Sequence, residues 1–233
     1  MYRRVVQNDV RKDIYMLYQK IKNDEEVLAL LERGNHNLGI LGITDHSIAH
    51  TGLVADRAAN ILQRLGYDEH TQELARIAGV MHDIGNAINR NRHGEFGALL
   101  AYDILKKYDM PLSDRVLVTS AIANHDEGTG GAKEPVSAAL ILADKSDVRR
   151  NRVRNTDRES FDIHDRVNYA VTGTTLKVDP EEKKISLNLQ IDENICTMYE
   201  YFDIFLGRMM MCRGAAEMLG CQFRLTVNGS KVL

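Results

Sequence analysis

Four stretches of the chain each place an imidazole or a carboxylate on an otherwise apolar helical face. His50 lies on the stripe His46, His50, Leu53, Val54, Ile61, Leu65, and His82 with Asp83 finishes the stripe Leu74, Ile77, Ala78, Met81. His125 continues Val118, Ala121 and Ile122 at helical steps, and Asp144 continues Val136, Ala139, Leu140 and Ala143 and leads to Asp147. A single histidine on such a face is usually a core histidine with its hydrogen bonds made. A carboxylate there is harder to dismiss, because burial without a partner costs several kcal/mol. Nitrogen and oxygen donors converging from separate helices are what one shared divalent cation requires.

The adjacency of His82 and Asp83 lets one rigid stretch offer both a nitrogen and an oxygen to an ion. A carboxylate can also bridge two metals, which an imidazole cannot. His93 opens the next helix, where its ring can join His125 around a second ion. Four nitrogens and two carboxylates suit iron, manganese, cobalt, nickel or zinc better than calcium, with magnesium as an alternative, so one or two ions are expected.

Helices must position these groups. Periodicity predicts a helical run over 9–32, broken by Gly34-Asn35-His36-Asn37-Leu38-Gly39, then a helix capped by Thr44 or Asp45 and closed by Gly66. Further helices are expected from Glu69 to His82, from Gly94 to Tyr108, from a Ser113 cap to Asn124, and from Pro135 onward. Gly128, Gly130 and Gly131 mark a mobile loop beside His125; without a Lys-Ser/Thr ending they do not form a phosphate loop. After Arg166, Thr174–Val178 and Ile185–Ile191 alternate around Asp179-Pro180-Glu181-Glu182 as a hairpin. A helix from Asn194 to Leu219 and a strand over Gln222–Val227 complete a β-β-α-β tail. The fold expected is mostly α, a helical unit over 1–165 with a small α+β unit over 166–233.

At 233 residues with 44% apolar and 27% charged, the chain has a globular composition, which excludes disorder. No window approaches about eighteen apolar residues and the first residues lack a signal-peptide core, so a cytoplasmic protein without membrane attachment is expected. A formal net charge of -3 argues against a surface built wholly for nucleic acid, leaving that partner less favoured. Cys196, Cys212 and Cys221 show no CxxC spacing and fit reduced thiols. They accompany Met209-Met210-Met211 and Tyr199, Tyr201, Phe202 and Phe205, which read as the packing of an amphipathic helix. His36, His70 and His164 fall in or beside loops and are expected to be solvated.

The order His50, His82-Asp83, His125, Asp144 resembles the HD-domain metal-dependent phosphohydrolase superfamily, and the segments HTGLVA, AGVMHDIGN and ALILADK resemble its motifs. The resemblance covers roughly 40–150. It implies His50, His82, Asp83 and Asp144 as ligands of a primary metal; His93 and His125 resemble the two-metal subset in which the HD aspartate bridges. His46 shares the face of His50 as a candidate supporting residue. Asn86 stands where the cyclic-diguanylate phosphodiesterases carry Lys, and no Glu-Asp pair follows the HD motif as in the alarmone hydrolases, so both branches are disfavoured.

The chemistry expected is hydrolysis of a phosphate ester or anhydride of a nucleotide or related small molecule, with Asp83, Asp144 and Lys145 catalytic. His125 or His93, if not bound to metal, is an alternative proton donor to the leaving oxygen. Arg90, Arg92, Lys145, Arg149 and Arg150 are the expected phosphate contacts, with Arg57 two turns above His50 on the same face. A di-iron oxygenase and a nucleotide- or RNA-sensing module that keeps the metal site are the alternatives. The edge strands of the tail make pairing with a second copy an expectation.

Overall fold

The computed structural model describes residues 17–128 and 130–232. Val10 and Ile14 of the first expected run, and Thr129 of the glycine loop, lie outside the described residues. Helical residues 17–22 end at Asn23, and Asp24 caps α1 (Glu25–Ile40) by accepting from the amides of Glu26 and Val27. The break expected at 34–39 is absent: α1 runs straight through it. A Cβ on Gly34 would lie 3.0 Å from the Asn86 Cβ and 3.1 Å from the Ala87 amide nitrogen. Asn37 Nδ2 donates to the carbonyls of Asn86 and Ala87, each at 3.2 Å. Residues that normally interrupt a helix here let α1 lie against the turn that follows the HD pair, so tertiary contact overrides propensity.

α2 (Ile48–Arg64) begins after Ser47 rather than at Thr44 or Asp45; the Asp45 carboxylate instead accepts from the Ser47 hydroxyl at 2.6 Å. α3 (Glu69–Met81) is capped by Asp68 and followed by a 3-10 turn at Ile84–Ala87. A Cβ on Gly79 would lie 2.6 Å from the Ala55 Cα, so α2 and α3 meet backbone to backbone at that point. α4 (His93–Ile104) and α5 (Leu112–Ala123) follow; Pro111, not Ser113, precedes α5. α6 (Pro135–Lys145) starts with Pro135 at its first position and a capping box between Glu134 and Ser137. Every residue from Val136 to Ala143 is buried, so α6 is the central rod of the bundle, with α2, α3, α5 and α8 around it.

Two 3-10 turns, Arg150–Arg152 and Arg158–Ser160, lead to α7 (Ile163–Ala170), so the expected 165/166 boundary falls inside a helix. The tail is β1 (Val171–Asp179), β2 (Lys184–Ile191), α8 (Met198–Met218) and β3 (Gln222–Val227), with a short β4 (Ser230–Lys231) that the sequence reading did not include. The sheet order is β1-β2-β3-β4; β2 and β3 are parallel and the outer pairs antiparallel. Register aligns the buried residues, with Ile185 opposite Phe223, Leu187 opposite Leu225 and Leu189 opposite Val227. α8 buries Tyr201, Phe205, Met209 and Cys212, as its amphipathic reading requires, while Tyr199 and Met210 are exposed. The fold is thus mostly helical with a small C-terminal mixed sheet. All three cysteines are free and buried. Among the described residues no helix is long and apolar enough to cross a membrane.

Candidate metal centre

The donor atoms meet in the interior. His50 sits on the buried face of α2, and His82 and Asp83 leave the end of α3. His93 opens α4, His125 follows α5, and Asp144 is on the last turn of α6. His50, His82, Asp83, His93 and His125 are all at most 3% exposed. Asp83 divides the cluster. Its Oδ2 lies 3.2 Å from His82 Nε2 and 3.7 Å from His50 Nε2, while its Oδ1 lies 3.7 Å from His93 Nε2. Asp144 Oδ1 joins the first group, 3.3 Å from His50 Nε2 and 3.7 Å from His82 Nε2.

Each imidazole presents Nε2 because its Nδ1 is engaged elsewhere. His82 Nδ1 donates to the Gly79 carbonyl at 2.8 Å, His125 Nδ1 to that of Ile122 at 2.7 Å and His93 Nδ1 to that of Arg90 at 3.1 Å. His50 Nδ1 instead meets the Asp147 carboxylate at 2.7 Å. A proton on each Nδ1 leaves each Nε2 as a lone pair, the arrangement in which histidine binds metal. His50 Nε2, His82 Nε2 and Asp83 Oδ2 are buried without a hydrogen-bond partner. His93 Nε2 and His125 Nε2 face each other at 3.0 Å. Orphaned acceptors pointing at one another are costly unless a cation lies among them. Three overlapping sets could hold an ion: His50, His82 and Asp83; His82, His125 and Asp144; and Asp83, His93 and His125.

Electrostatics agree. Burial would raise the Asp83 and Asp144 carboxyls, but the surrounding imidazoles, and Lys145 beside Asp144, hold both well below the usual carboxylate range. Burial pushes His125 well down and lowers His93, which favours the neutral rings that could bind a metal, and it also pushes the neighbouring His46 well down. Burial also opposes charge on His82, yet Asp83 and Asp144 outweigh it and push that ring up to about 10. The two carboxylates attract positive charge to the point where the donors converge.

The flanking residues divide sharply. Lys145, 7% exposed, lies 2.9 Å from Asp144 Oδ2 and 2.7 Å from Glu127 Oε2, so it clamps the Asp144 carboxylate. Arg90 Nη1 approaches Asn86 Oδ1 and His93 Nε2, each at 3.4 Å, and borders the cleft over the cluster. Arg92 does not join the cluster: it pairs with Glu95 and is 72% exposed. Arg149 forks onto Asp147, with Nε to Oδ1 at 2.5 Å and Nη2 to Oδ2 at 2.9 Å. Arg150 donates to the Tyr169 carbonyl, away from the donors. Arg57 ties α2 to Ser146, and His46 donates to the Thr44 carbonyl with its ring against His50. Of the remaining histidines, His70 pairs with Asp114, and His36 and His164 are exposed on helices.

Sequence reading did not single out four residues as site members. Asp147 braces His50, and the signal was its position one turn after Asp144. Asn86 Nδ2 donates to Asp83 Oδ1 at 2.9 Å. Glu127 bridges Lys145 and Arg208, whose Nε is 2.8 Å from Glu127 Oε1. Arg208 arrives from α8 of the tail, and nothing in its local sequence marks it. The cleft over the cluster shares Ile43, Thr44, Arg90, Asn168 and Arg208 with an adjoining cavity of about 260 Å³.

A family model for the HD domain matches residues 47–165, and the chain belongs to the HD-domain family. It is 28% identical over 198 residues to Uncharacterized protein MJ1020 of Methanocaldococcus jannaschii, covering 75% of each chain. It is 34% identical over 116 residues to Ribonuclease Y of Campylobacter concisus, 50% of this chain and 21% of that protein, and 33% identical over 119 residues to Ribonuclease Y of Aliarcobacter butzleri, again 50% and 21%. No solved structure matches the chain.

Proposed function

We propose that the chain is a metal-dependent phosphohydrolase that uses water to cleave an ester or anhydride of a nucleotide or related small phosphorylated molecule. The observation that carries this reading is the convergence of unpartnered Nε2 and Oδ2 atoms on one buried point. His50, His82, Asp83 and Asp144 would hold one ion, and Asp83 with His93 and His125 a second. A divalent transition metal bound there would lower the pKa of water toward about 7 and neutralise phosphoryl oxygens. Lys145 fixes one oxygen of Asp144 so that the other faces the donors, and Asn86 orients the Asp83 carboxylate by donating to Oδ1, the oxygen that faces His93. Arg90 and Arg208, at the boundary between the two cavities, would bind the phosphate, and the 260 Å³ cavity would receive the rest of the molecule.

The stretch shared with ribonuclease Y favours a second reading, in which the scissile bond is a phosphodiester of RNA. The test is metal content by elemental analysis, run with a panel of nucleotides, simple phosphoesters and short RNA on wild type, His93→Ala and His125→Ala. Two ions per chain, falling toward one in either variant with hydrolysis lost, are expected. A metal-loaded wild-type chain that turns over nothing on the panel would overturn the proposal.

A further inference from the structure

Away from the metal cluster, the turns at 148–158 and the start of β1 enclose an open groove of about 580 Å³, within the range of cavities that hold small organic ligands. Arg149, Arg150 and Arg158 line it, together with Phe161 and Tyr169, and no Asp or Glu is among its lining residues. That is a departure from the molecule at large, where acidic residues outnumber basic ones, 33 to 30.

Arg149 is paired with Asp147, but Arg150 and Arg158 are held in place without being neutralised. Arg150 donates through Nε to the Tyr169 carbonyl at 2.6 Å and lies over the Tyr169 ring at 4.4 Å. Arg158 lies over the same ring at 4.8 Å and donates to its hydroxyl. Among the described residues neither guanidinium has a carboxylate within ion-pair distance, and Arg150 Nη2 has no hydrogen-bond partner. Two fixed, unpaired cations around one aromatic ring repel each other until an anion joins them, and planar guanidinium forks match phosphate oxygens. Phe161, edge-on to Tyr169 at 5.2 Å, adds apolar wall for a flat ring.

We infer that this groove is a second ligand site, distinct from the metal centre, and that it takes a nucleotide, with Arg150 and Arg158 on the phosphates and the base against Phe161 and Tyr169. It does not depend on hydrolysis at the metal centre.

The test is calorimetric titration of the full chain, stripped of metal by a chelator, with ADP and with adenosine as the uncharged control. ADP is expected to bind and adenosine not to. Arg158→Ala, an exposed position with no core contact to lose, is expected to weaken ADP binding about tenfold. Arg158→Glu is expected to abolish it, and His125→Ala to leave it unchanged. Absence of ADP binding, equal binding of adenosine, or loss of binding in His125→Ala with retention in both Arg158 variants would overturn the assignment.

Discussion

An imidazole ligates through whichever nitrogen its other hydrogen bond leaves bare, so the acceptors behind the ring matter as much as the ring. His82, His93 and His125 each use the carbonyl three residues earlier in their own segment, which no side-chain substitution removes. His50 depends on Asp147, ninety-seven positions away in the chain. Asp147→Ala is therefore expected to lower metal affinity by about 10- to 100-fold, with Asp147→Asn between it and wild type because the amide oxygen still accepts. Metal titration of protein shown folded by circular dichroism checks this. The histidines and aspartates that cluster were legible in the sequence, because a carboxylate on an apolar stripe is chemically conspicuous. Asp147 and Glu127 were not, since they face His50 and Lys145 across long stretches of chain, and Asn86 was not, because an amide three residues from Asp83 carries no sign of which atom it faces.

The helices were legible where apolar periodicity and caps agreed, as in α3 and α6. Gly34 and its neighbours misled because their local preference opposes the helix that contact with Asn86 and Ala87 stabilises. Gly79 shows the same economy of space between α2 and α3, the two helices that carry His50 and His82. Gly79→Ala would drive a methyl into the Ala55 backbone and is expected to cost about 1–3 kcal/mol, read as a lowered urea midpoint, with weaker metal binding as the two histidines are spread. At the start of α1, burial would raise the Asp24 carboxyl, but the Tyr108 hydroxyl and the amides of Val27 and Glu26 hold it below its ordinary value. A depressed carboxyl stabilises the folded state above its unfolded pKa of about 3.9, and that contribution is lost as pH falls through the folded value. Asp24→Ala is expected to cost about 1 kcal/mol at pH 7, with the gap from wild type closing as the medium is acidified below about pH 4, measured by denaturant unfolding.

At the scale of the molecule, the C-terminal unit was legible as a β-β-α-β pattern, but its reach was not. Alternation reveals which face of a strand is buried and nothing about where α8 lays Arg208. On the proposed function, in which Arg208 binds the phosphate, Arg208→Ala is expected to raise KM about tenfold while bound metal stays constant, the loss of one charge-assisted contact. Steady-state kinetics beside elemental analysis distinguishes this from damage to the centre, and Arg208→Lys should recover part of the loss.

The chain of contacts from Arg208 through Glu127 and Lys145 to Asp144 also bears on how such a protein can be inherited. A recombination that joined this helical unit to a different tail would carry off Arg208, leaving Glu127 with one cation where it now has two. The segment before α7 and the segment after it are therefore bound to descend together, and a homologue that has exchanged its tail should also have changed the residue at position 127.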